Sequence, residues 1–394
     1  MTNNFSYFNP VKIVFGAGRL NEAGSYVKQY GNKALIVTTG SFFKTNGLID
    51  RLQKILSESG VSSEVFMNVS PNPFSTEVDA GTAFAKKHGC DVIIGLGGGS
   101  AIDAAKGIAI AVGHDSPVWR YCPSGDPDDL TITDKTLPII AITTTSGTGS
   151  HTTQYAVITN PETKEKPGLG SDYTFAKVAI VDPELMLSLP QKVTAATGFD
   201  IFAHSMEAYV SNYSTPITDQ MAEEAIRIVG KYLRRAVQDG SDLEARTNLA
   251  YADTLAGICI SVAGTSACHS ISHAVGGVCE TVHGETLAAM TPHTMRFNME
   301  FNPKKYKNIG IFLRDEPNSD EMRAKYSVES SVQEAEKLIS DIGMNISLAK
   351  QGVVVSDFEE ISKGTMKYMG GGLSVENRAM AKEDIIEILN KSIK

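Results

Sequence analysis

The first half of the chain alternates between apolar runs of strand length and stretches of helical periodicity, and this alternation limits the possible folds more than any other feature. The apolar runs predict strands at 33–38, 64–67, 91–96, 137–142 and 177–181. Between them, residues 48–60, 76–89 and 100–112 carry apolar side chains at helical spacing. Apolar strands that alternate with helices are typical of a mostly parallel sheet covered on both faces.

After Pro190 the strand-like runs fade and helical patterns dominate. These patterns lie at 218–237, 243–278, about 329–342 and 381–392. A chain of 394 residues is also too long for one ordinary domain. We therefore predict an α/β domain over 1–190, followed by an all-helical domain over 191–394.

Composition excludes several classes of protein. The chain carries 36 Lys and Arg against 45 Asp and Glu, a net charge of −9, so it lacks the basic surface of a nucleic-acid binder. The segment Met1–Phe5 has no features of a signal peptide, and no apolar run reaches the roughly 18 residues of a membrane span. Five cysteines without a CxxC pair are typical of reduced thiols, which predicts a cytoplasmic protein.

A glycine-rich segment, 95–100, lies where a predicted strand passes into a helix. Because glycine has no side chain, a phosphate can approach the backbone of this segment closely. The start of the following helix offers N–H groups that have no partner within the helix. Ser100 occupies the third glycine position of the dinucleotide-binding fingerprint, and the segment does not follow the first strand. The alternative interpretation is that this segment is only a tight turn between strand and helix and binds no ligand.

A second polar segment, 143–153, directly follows the predicted strand that ends at Ile142. Its many hydroxyl groups are suited to bind phosphate, ribose or a carboxamide, although a solvated loop has the same composition. Ligands of open α/β sheets bind at the carboxyl ends of strands. Two such segments in one sheet favour a dinucleotide site.

Five of the eight histidines fall in the helical half of the chain. Asp200 and His204 stand at i and i+4, as do His269 and His273, so each pair projects from one face of a helix. His283 follows shortly after. One carboxylate and three imidazoles form a suitable site for a divalent transition metal with open coordination positions. For each histidine taken singly, the alternative to metal binding is an ordinary structural role.

The order and spacing of short segments along nearly the whole chain resemble the iron-containing (group III) alcohol dehydrogenases, which are similar in fold to glycerol dehydrogenase and dehydroquinate synthase. The shared segments are Val14–Gly18, Pro71–Pro73, Gly97–Asp103, Thr144–Ser150, Asp182–Leu185, Gly198–His204, His269–His273, His283–Gly284 and Pro292–His293. The resemblance implies a dehydroquinate synthase-like fold, with an α/β dinucleotide-binding domain over 1–190 and an all-helical metal- and substrate-binding domain over 191–394.

The same resemblance implies that Asp200, His204, His269 and His283 are the metal ligands. His273 is then an unligated neighbour, a candidate for proton relay or ribose contact. Iron(II) is the usual metal of the family, and zinc suits the same ligands.

The resemblance also implies which residues bind the nicotinamide cofactor. These are Asn72, Gly97, Gly98, Gly99, Ser100, Asp103, Thr143, Thr144, Thr148, Lys166, Leu185 and Leu189. Two departures from the family pattern concern this site. His151 stands where a Glu is usual, and Thr39, Gly40 and Ser41 stand where members that favour NAD often have Asp. An uncharged segment there does not repel a 2′-phosphate, so we predict that NADP(H) is accepted, with NAD(H) as the other cofactor.

Together these features predict reversible hydride transfer between NAD(P) and a small alcohol or aldehyde. The metal acts as a Lewis acid on the substrate oxygen, and the cofactor is held between the domains. Two alternatives remain from the sequence: a metal-dependent lyase or dehydroquinate-synthase-like enzyme on the same fold, and a non-catalytic nucleotide-binding relative. We further predict a homo-oligomer, a dimer or larger, without nucleic-acid or membrane partners.

Overall fold

The computed structural model describes residues 4–123 and 128–394; the first three residues of the segment used to predict the absence of a signal peptide lie outside this part. The described chain forms two compact units. The α/β unit comprises Asn9–Thr145 and Ser150–Met186. The helical unit comprises Leu187–Lys394, together with the segment that ends at Phe8 and the short segment Ser146–Gly149. Both of these short segments fall within the range 1–190 that the sequence places in the first domain.

The α/β unit is built on a six-stranded parallel sheet with the order β1-β8-β5-β4-β2-β3. Its strands are β1 (Lys12–Phe15), β2 (Lys33–Thr39), β3 (Ser62–Val69), β4 (Val92–Gly97), β5 (Ile139–Thr143) and β8 (Val178–Val181). A separate two-stranded antiparallel hairpin comprises β6 (Ala156–Val157) and β7 (Gly168–Leu169). The parallel sheet confirms the predicted fold class of this half.

Helices cover both faces of the sheet. They are α1 (Ala23–Val27), α2 (Phe42–Thr45), α3 (Leu48–Glu58), α4 (Ser75–His88) and α5 (Gly99–His114). Along β2, Leu35 and Val37 pack in one hydrophobic core, and Ala34 and Ile36 pack in the other. Because successive side chains of a strand point to opposite faces, a strand buried on both faces must be apolar throughout.

Two strand features were not predicted. The edge strand β1 is only four residues long and half-exposed, so its sequence lacks the continuous apolar run of the inner strands. The hairpin β6–β7 has two residues per strand, which is too short to show a periodicity.

The second half is helical, as predicted. Its helices are α6 (Gln191–Val210), α7 (Pro216–Gln238), α8 (Leu243–Ala263), α9 (Ala267–Cys279), α10 (His283–Asn298), α11 (Pro303–Leu313), α12 (Asp320–Lys325), α13 (Val328–Asp341), α14 (Phe358–Tyr368) and α15 (Lys382–Ser392). The apolar stretch predicted over 243–278 forms two helices, because the chain turns at Gly264, whose φ of 71° ends α8. Within residues 4–123 and 128–394, no single helix is long and apolar enough to cross a membrane, although α8 and α9, bent by 99°, reach that length and composition as a pair.

Candidate active site

The centre of the helical unit contains a buried cluster of one carboxylate and several imidazoles. Helix α6 carries Asp200, α9 carries His269, and α10 begins at His283. The ligand atoms of these three residues lie within 4.8 Å of one another. Asp200 Oδ1 lies 3.2 Å from His269 Nε2 and 3.8 Å from His283 Nε2. Asp200 is only 3% exposed and His269 only 2%.

His204 lies next to this cluster but is not one of the three residues whose ligand atoms converge. Its ring stacks on His269 with a centroid distance of 4.3 Å, and its Nδ1 lies 3.1 Å from the carbonyl oxygen of Gly147. A carbonyl oxygen only accepts hydrogen bonds, so Nδ1 carries the proton and Nε2 keeps its lone pair. Burial lowers the pKa of His204, which keeps the ring neutral. The same Nδ1 lies 3.5 Å from Asp200 Oδ1, so the nitrogen of His204 that faces this carboxylate is the one bonded to Gly147.

His273 lies one helical turn after His269 on α9. Its ring centroid is 5.4 Å from that of His283 and 6.4 Å from that of His269. It is partly exposed, in contrast to His269. The structure thus places His273 beside the cluster of Asp200, His269 and His283.

The arrangement of Asp200 and His269 requires a positive charge. Burial opposes the charged form of His269, but Glu207 and Asp200 together raise its pKa to about 10. Glu207 accepts a hydrogen bond from Nδ1, so Nε2 faces the Asp200 carboxylate across 3.2 Å. Two lone pairs at this distance in a buried site repel each other unless a proton or a metal cation lies between them. The donor set of carboxylate oxygen and imidazole nitrogen fits Fe²⁺ and Zn²⁺.

In the α/β unit, the glycine segment and the polar segment meet at the carboxyl ends of two adjacent strands. Gly97 at the end of β4 pairs with Thr143 at the end of β5, and the Thr144 N–H donates to the carbonyl of Gly97 at 3.0 Å. Gly97 has φ 150°, and a Cβ on it would lie 2.8 Å from the Cβ of Ala101. A side chain at position 97 is therefore excluded by both conformation and space.

A polar cluster borders the start of α5. The backbone N–H of Asn72 donates to Ser100 Oγ at 3.3 Å, and Lys166 Nζ donates to Asn72 Oδ1 at 2.7 Å. Asn72 adopts the left-handed conformation, with φ 59°. Three of the residues predicted to bind cofactor from separate parts of the chain are thus brought together.

Asp103, which the resemblance implies is a cofactor-binding residue, makes hydrogen bonds within the protein. Its carboxylate is buried, and it accepts hydrogen bonds from Ser150 Oγ and from the Val157 N–H. Its neighbour Lys106 is fully buried and donates to the carbonyls of Ser150 and Tyr155, at 2.7 and 2.6 Å. Asp103 and Lys106 therefore anchor the chain that follows the polar segment to helix α5.

His151, which departs from the family pattern, is fully buried. Burial and the nearby Lys106 lower the pKa of His151 to about 3. The imidazole is therefore neutral at physiological pH and does not supply the negative charge of the usual Glu.

The segment Ser146–Gly149 is held within the helical unit by α8. The Gly149 N–H donates to Asp253 Oδ1 at 2.8 Å, and a Cβ on Gly149 would lie 2.5 Å from the Cα of Gly257. Burial raises the pKa of Asp253 to about 7. Thr148 is partly exposed on this segment.

Five further residues expected near the cofactor are partly or fully exposed, namely Thr39, Gly40, Ser41, Leu185 and Leu189. At the end of β2, Thr39 is partly exposed, whereas Gly40 and Ser41 are exposed. Gly40 has φ 56° and donates its N–H to the carbonyl of Met67 at 3.0 Å. Leu185 in the α/β unit and Leu189 in the helical unit are each partly exposed.

Comparison with known proteins agrees with this architecture over both units. The family model described as iron-containing alcohol dehydrogenase matches residues 10–183, and that described as Fe-containing alcohol dehydrogenase family, C-terminal, matches residues 194–393. A 1,3-propanediol dehydrogenase of Citrobacter freundii is 35% identical and is covered over 98% of each chain. An NAD-dependent methanol dehydrogenase of Bacillus methanolicus is 33% identical over the full length of both chains.

Among solved structures, the archaeal halo-thermophilic Red Sea brine pool alcohol dehydrogenase bound to NZQ superposes with a TM-score of 0.95 at 39% identity, with both chains fully covered. The chain is thus similar, over both units, to alcohol dehydrogenases. The chain belongs to the iron-containing alcohol dehydrogenase family. The predicted enzyme class is confirmed, and the relatives named here favour neither a lyase nor a non-catalytic protein.

The buried carboxyl of Glu376 leads us to predict that the free energy of unfolding of the helical unit depends on pH. It accepts a hydrogen bond from the Tyr306 hydroxyl at 2.7 Å, and burial raises its pKa from 4.5 to about 7. Since the folded state holds this proton more tightly than the unfolded state, the free energy of unfolding should fall as pH rises from 4.5 to about 7. Glu376→Gln imitates the protonated acid and should remove this part of the pH dependence.

The measurement is urea unfolding followed by far-ultraviolet circular dichroism between pH 5 and 8. Glu360→Gln, at an exposed position on α14, is the control and should keep the wild-type pH dependence. Parallel pH curves for wild type and Glu376→Gln would contradict the prediction.

Proposed function

We propose that this protein catalyses reversible hydride transfer between a nicotinamide cofactor and a small alcohol or aldehyde, with a divalent metal held by Asp200, His204, His269 and His283. The observation that carries the proposal is the convergence of three ligand atoms within 4.8 Å in a buried site of a chain from this family. His204 is proposed as the fourth ligand because its ring stacks on that of His269 at 4.3 Å and its Nδ1 lies 3.5 Å from Asp200 Oδ1.

When bound, the metal supplies Lewis acidity toward the oxygen of the alcohol or aldehyde. Asp200 supplies the negative charge of the site, and the neutral imidazoles supply nitrogen ligands without adding charge. Iron(II) is the metal we propose, with zinc as the alternative, since both accept this donor set.

His273 is proposed as the residue that relays a proton or contacts the cofactor ribose. Its position supports this role, because it is partly exposed and its ring lies 5.4 Å from that of His283. An imidazole whose ordinary pKa is about 6.5 can exchange protons near neutral pH.

For the cofactor, we propose that the glycine segment binds the pyrophosphate and the polar segment lies toward the nicotinamide. The proposed contacts are Asn72, Gly97, Gly98, Gly99, Ser100, Thr143, Thr144, Thr148, Lys166, Leu185 and Leu189. Asp103 is proposed to support this site through Ser150 rather than to contact phosphate, since its oxygens accept bonds from Ser150 and Val157.

The segment Thr39–Ser41 is proposed to accept the 2′-phosphate of NADP(H), with NAD(H) as a second cofactor. It is uncharged and largely exposed at the end of β2, so nothing in this segment repels a phosphate. The exposed Lys44 adds positive charge nearby in the sequence.

We also propose that the enzyme is a cytoplasmic homo-oligomer acting on short alcohols. The relatives named for 1,3-propanediol and methanol support the substrate class. The edge strand β1 exposes 37% of Ile13, which is consistent with a further chain at this edge. Cell fractionation and sedimentation test the compartment and the assembly.

Metal removal tests the proposed function directly. Chelation should abolish nicotinamide turnover, and added Fe²⁺ or Zn²⁺ should restore it. Because three imidazoles must be neutral to bind, metal affinity should also fall as the pH is lowered. Activity is followed by nicotinamide absorbance together with metal analysis of the same samples. Full activity in a demonstrably metal-free sample would exclude the proposal.

Substitution of two histidines on the same helix separates a ligand from its neighbour. His269→Ala should abolish metal retention, because a ligand is lost from the centre of the site. His273→Ala should lower metal affinity by at most ~10–100-fold, as is typical of residues outside the ligand set. Metal content per protein chain, measured after the same dialysis, decides between them. Equal loss in both variants would show that the ligand assignment is wrong.

Cofactor preference is tested with one aldehyde and both reduced cofactors. We expect kcat/KM for NADPH to equal or exceed that for NADH. Thr39→Asp should shift the ratio toward NADH, because a carboxylate repels the 2′-phosphate. Thr45→Asp, on the exposed helix α2, is a control for added charge. A preference of the wild type for NADH by more than ~tenfold, about 1.4 kcal/mol, would contradict the expectation.

A further inference from the structure

We propose that Glu207 is a positioning residue that fixes the tautomer of His269 and thereby prepares the metal site. This inference rests on the proposed function, since it concerns the binding of the metal by His269. Glu207 lies on α6, seven residues after Asp200, and is fully buried. The family resemblance in the sequence assigned it no role.

In the described part of the chain, the hydrogen-bond donors to Glu207 belong to the start of α9. Its Oε1 accepts the backbone N–H of His269 at 3.2 Å, and its Oε2 accepts His269 Nδ1 at 3.0 Å. Oε2 also accepts the backbone N–H of Ser266, the residue that precedes the helix. Three donors and no acceptor therefore face one carboxylate, which is the group with the greatest capacity to accept.

Two of these bonds cap a helix. The first N–H groups of a helix have no partner within it, and a side chain at the N-cap normally accepts one of them. The N-cap residue of α9, Ser266, makes no such bond with its own side chain. Glu207 supplies the cap from a different helix, which fixes α9 against α6 at the point where Asp200 and His269 must meet.

The third bond selects the nitrogen that binds metal. Because Glu207 accepts from Nδ1, the proton of a neutral His269 stays on Nδ1 and the lone pair stays on Nε2. Nε2 is the atom 3.2 Å from Asp200 Oδ1. A carboxylate behind a ligating imidazole fixes its orientation and increases its basicity, and the loss of such a group typically costs ~10–100-fold in metal affinity.

Glu207→Gln is the test variant, because it keeps the size of the side chain and changes only its bonding. One oxygen becomes an NH₂ group that can only donate, yet all three partners are donors. Either a hydrogen bond is lost, or His269 accepts at Nδ1 and moves its proton to Nε2, where it blocks the metal. We expect Zn²⁺ affinity, measured by competition with a chelator at fixed pH, to fall ~10–100-fold.

Glu376→Gln is the matched control. Glu376 is also a buried glutamate of the helical unit and is hydrogen-bonded to Tyr306 and to the Ser266 side chain. It accepts no hydrogen bond from His269 in the described contacts, so the control should keep wild-type Zn²⁺ affinity. Equal Zn²⁺ affinity for wild type and Glu207→Gln would overturn the inference, and so would an equal loss in both variants.

A measurement on the wild type decides the matter if Glu207→Gln does not fold. In protein labelled with ¹⁵N-histidine and loaded with Zn²⁺, the His269 ring should carry its proton on Nδ1 and none on Nε2. A proton on Nε2, or coordination through Nδ1, would overturn the inference. Failure of the wild type to bind any metal would instead refute the proposed function, so the two failures are distinguishable.

Discussion

A single buried carboxylate dictates the organisation of the helical unit. Asp200 lies in the apolar core formed by α6 and its neighbours, where an uncompensated negative charge is strongly unfavourable. Three helices, α6, α9 and α10, place imidazoles near the Asp200 carboxylate. Each of the two most buried imidazoles of the cluster has a second acceptor besides Asp200: the Gly147 carbonyl for His204 and the Glu207 carboxylate for His269. These hydrogen bonds fix the orientation of both rings.

Much of the fold could be predicted because burial on two faces leaves a clear trace in sequence. The central residues of β2, Ala34–Val37, and the residues of β4 are apolar, since helices cover both sides of the sheet. Strand β1 has water on one side and a single neighbour, so its four residues carry no comparable signal. The segment Ser146–Gly149 follows a strand of the α/β unit in sequence but belongs to the helical unit, which only three-dimensional packing decides.

The sequence indicated a candidate metal site because Asp200 with His204, and His269 with His273, stand at helical spacing, although only the first three of these are proposed as ligands. Glu207 was missed, although it stands three residues after His204 and hence on the same face of α6, a signal that was available. Asp253 and Lys106 carried no local signal. Their partners are backbone groups distant in sequence, at Gly149 for Asp253 and at Ser150 for Lys106. Sequence periodicity detects ligands that share a helix, but not groups that bind a distant main chain.

Helix α6 carries two of the four proposed metal ligands, Asp200 and His204. Asp200, His204 and Glu207 all project from α6, where each residue advances about 1.5 Å along the axis. The helix backbone fixes the spacing between these residues, so none of them can shift along the helix by itself to suit an ion of different radius. Any adjustment to ionic size must therefore come from α9 and α10, which carry His269 and His283. Under the proposed ligand assignment, discrimination between metals would depend on how those two helices are held, and positions on α9 and α10 distant from the ion would be the places to alter it.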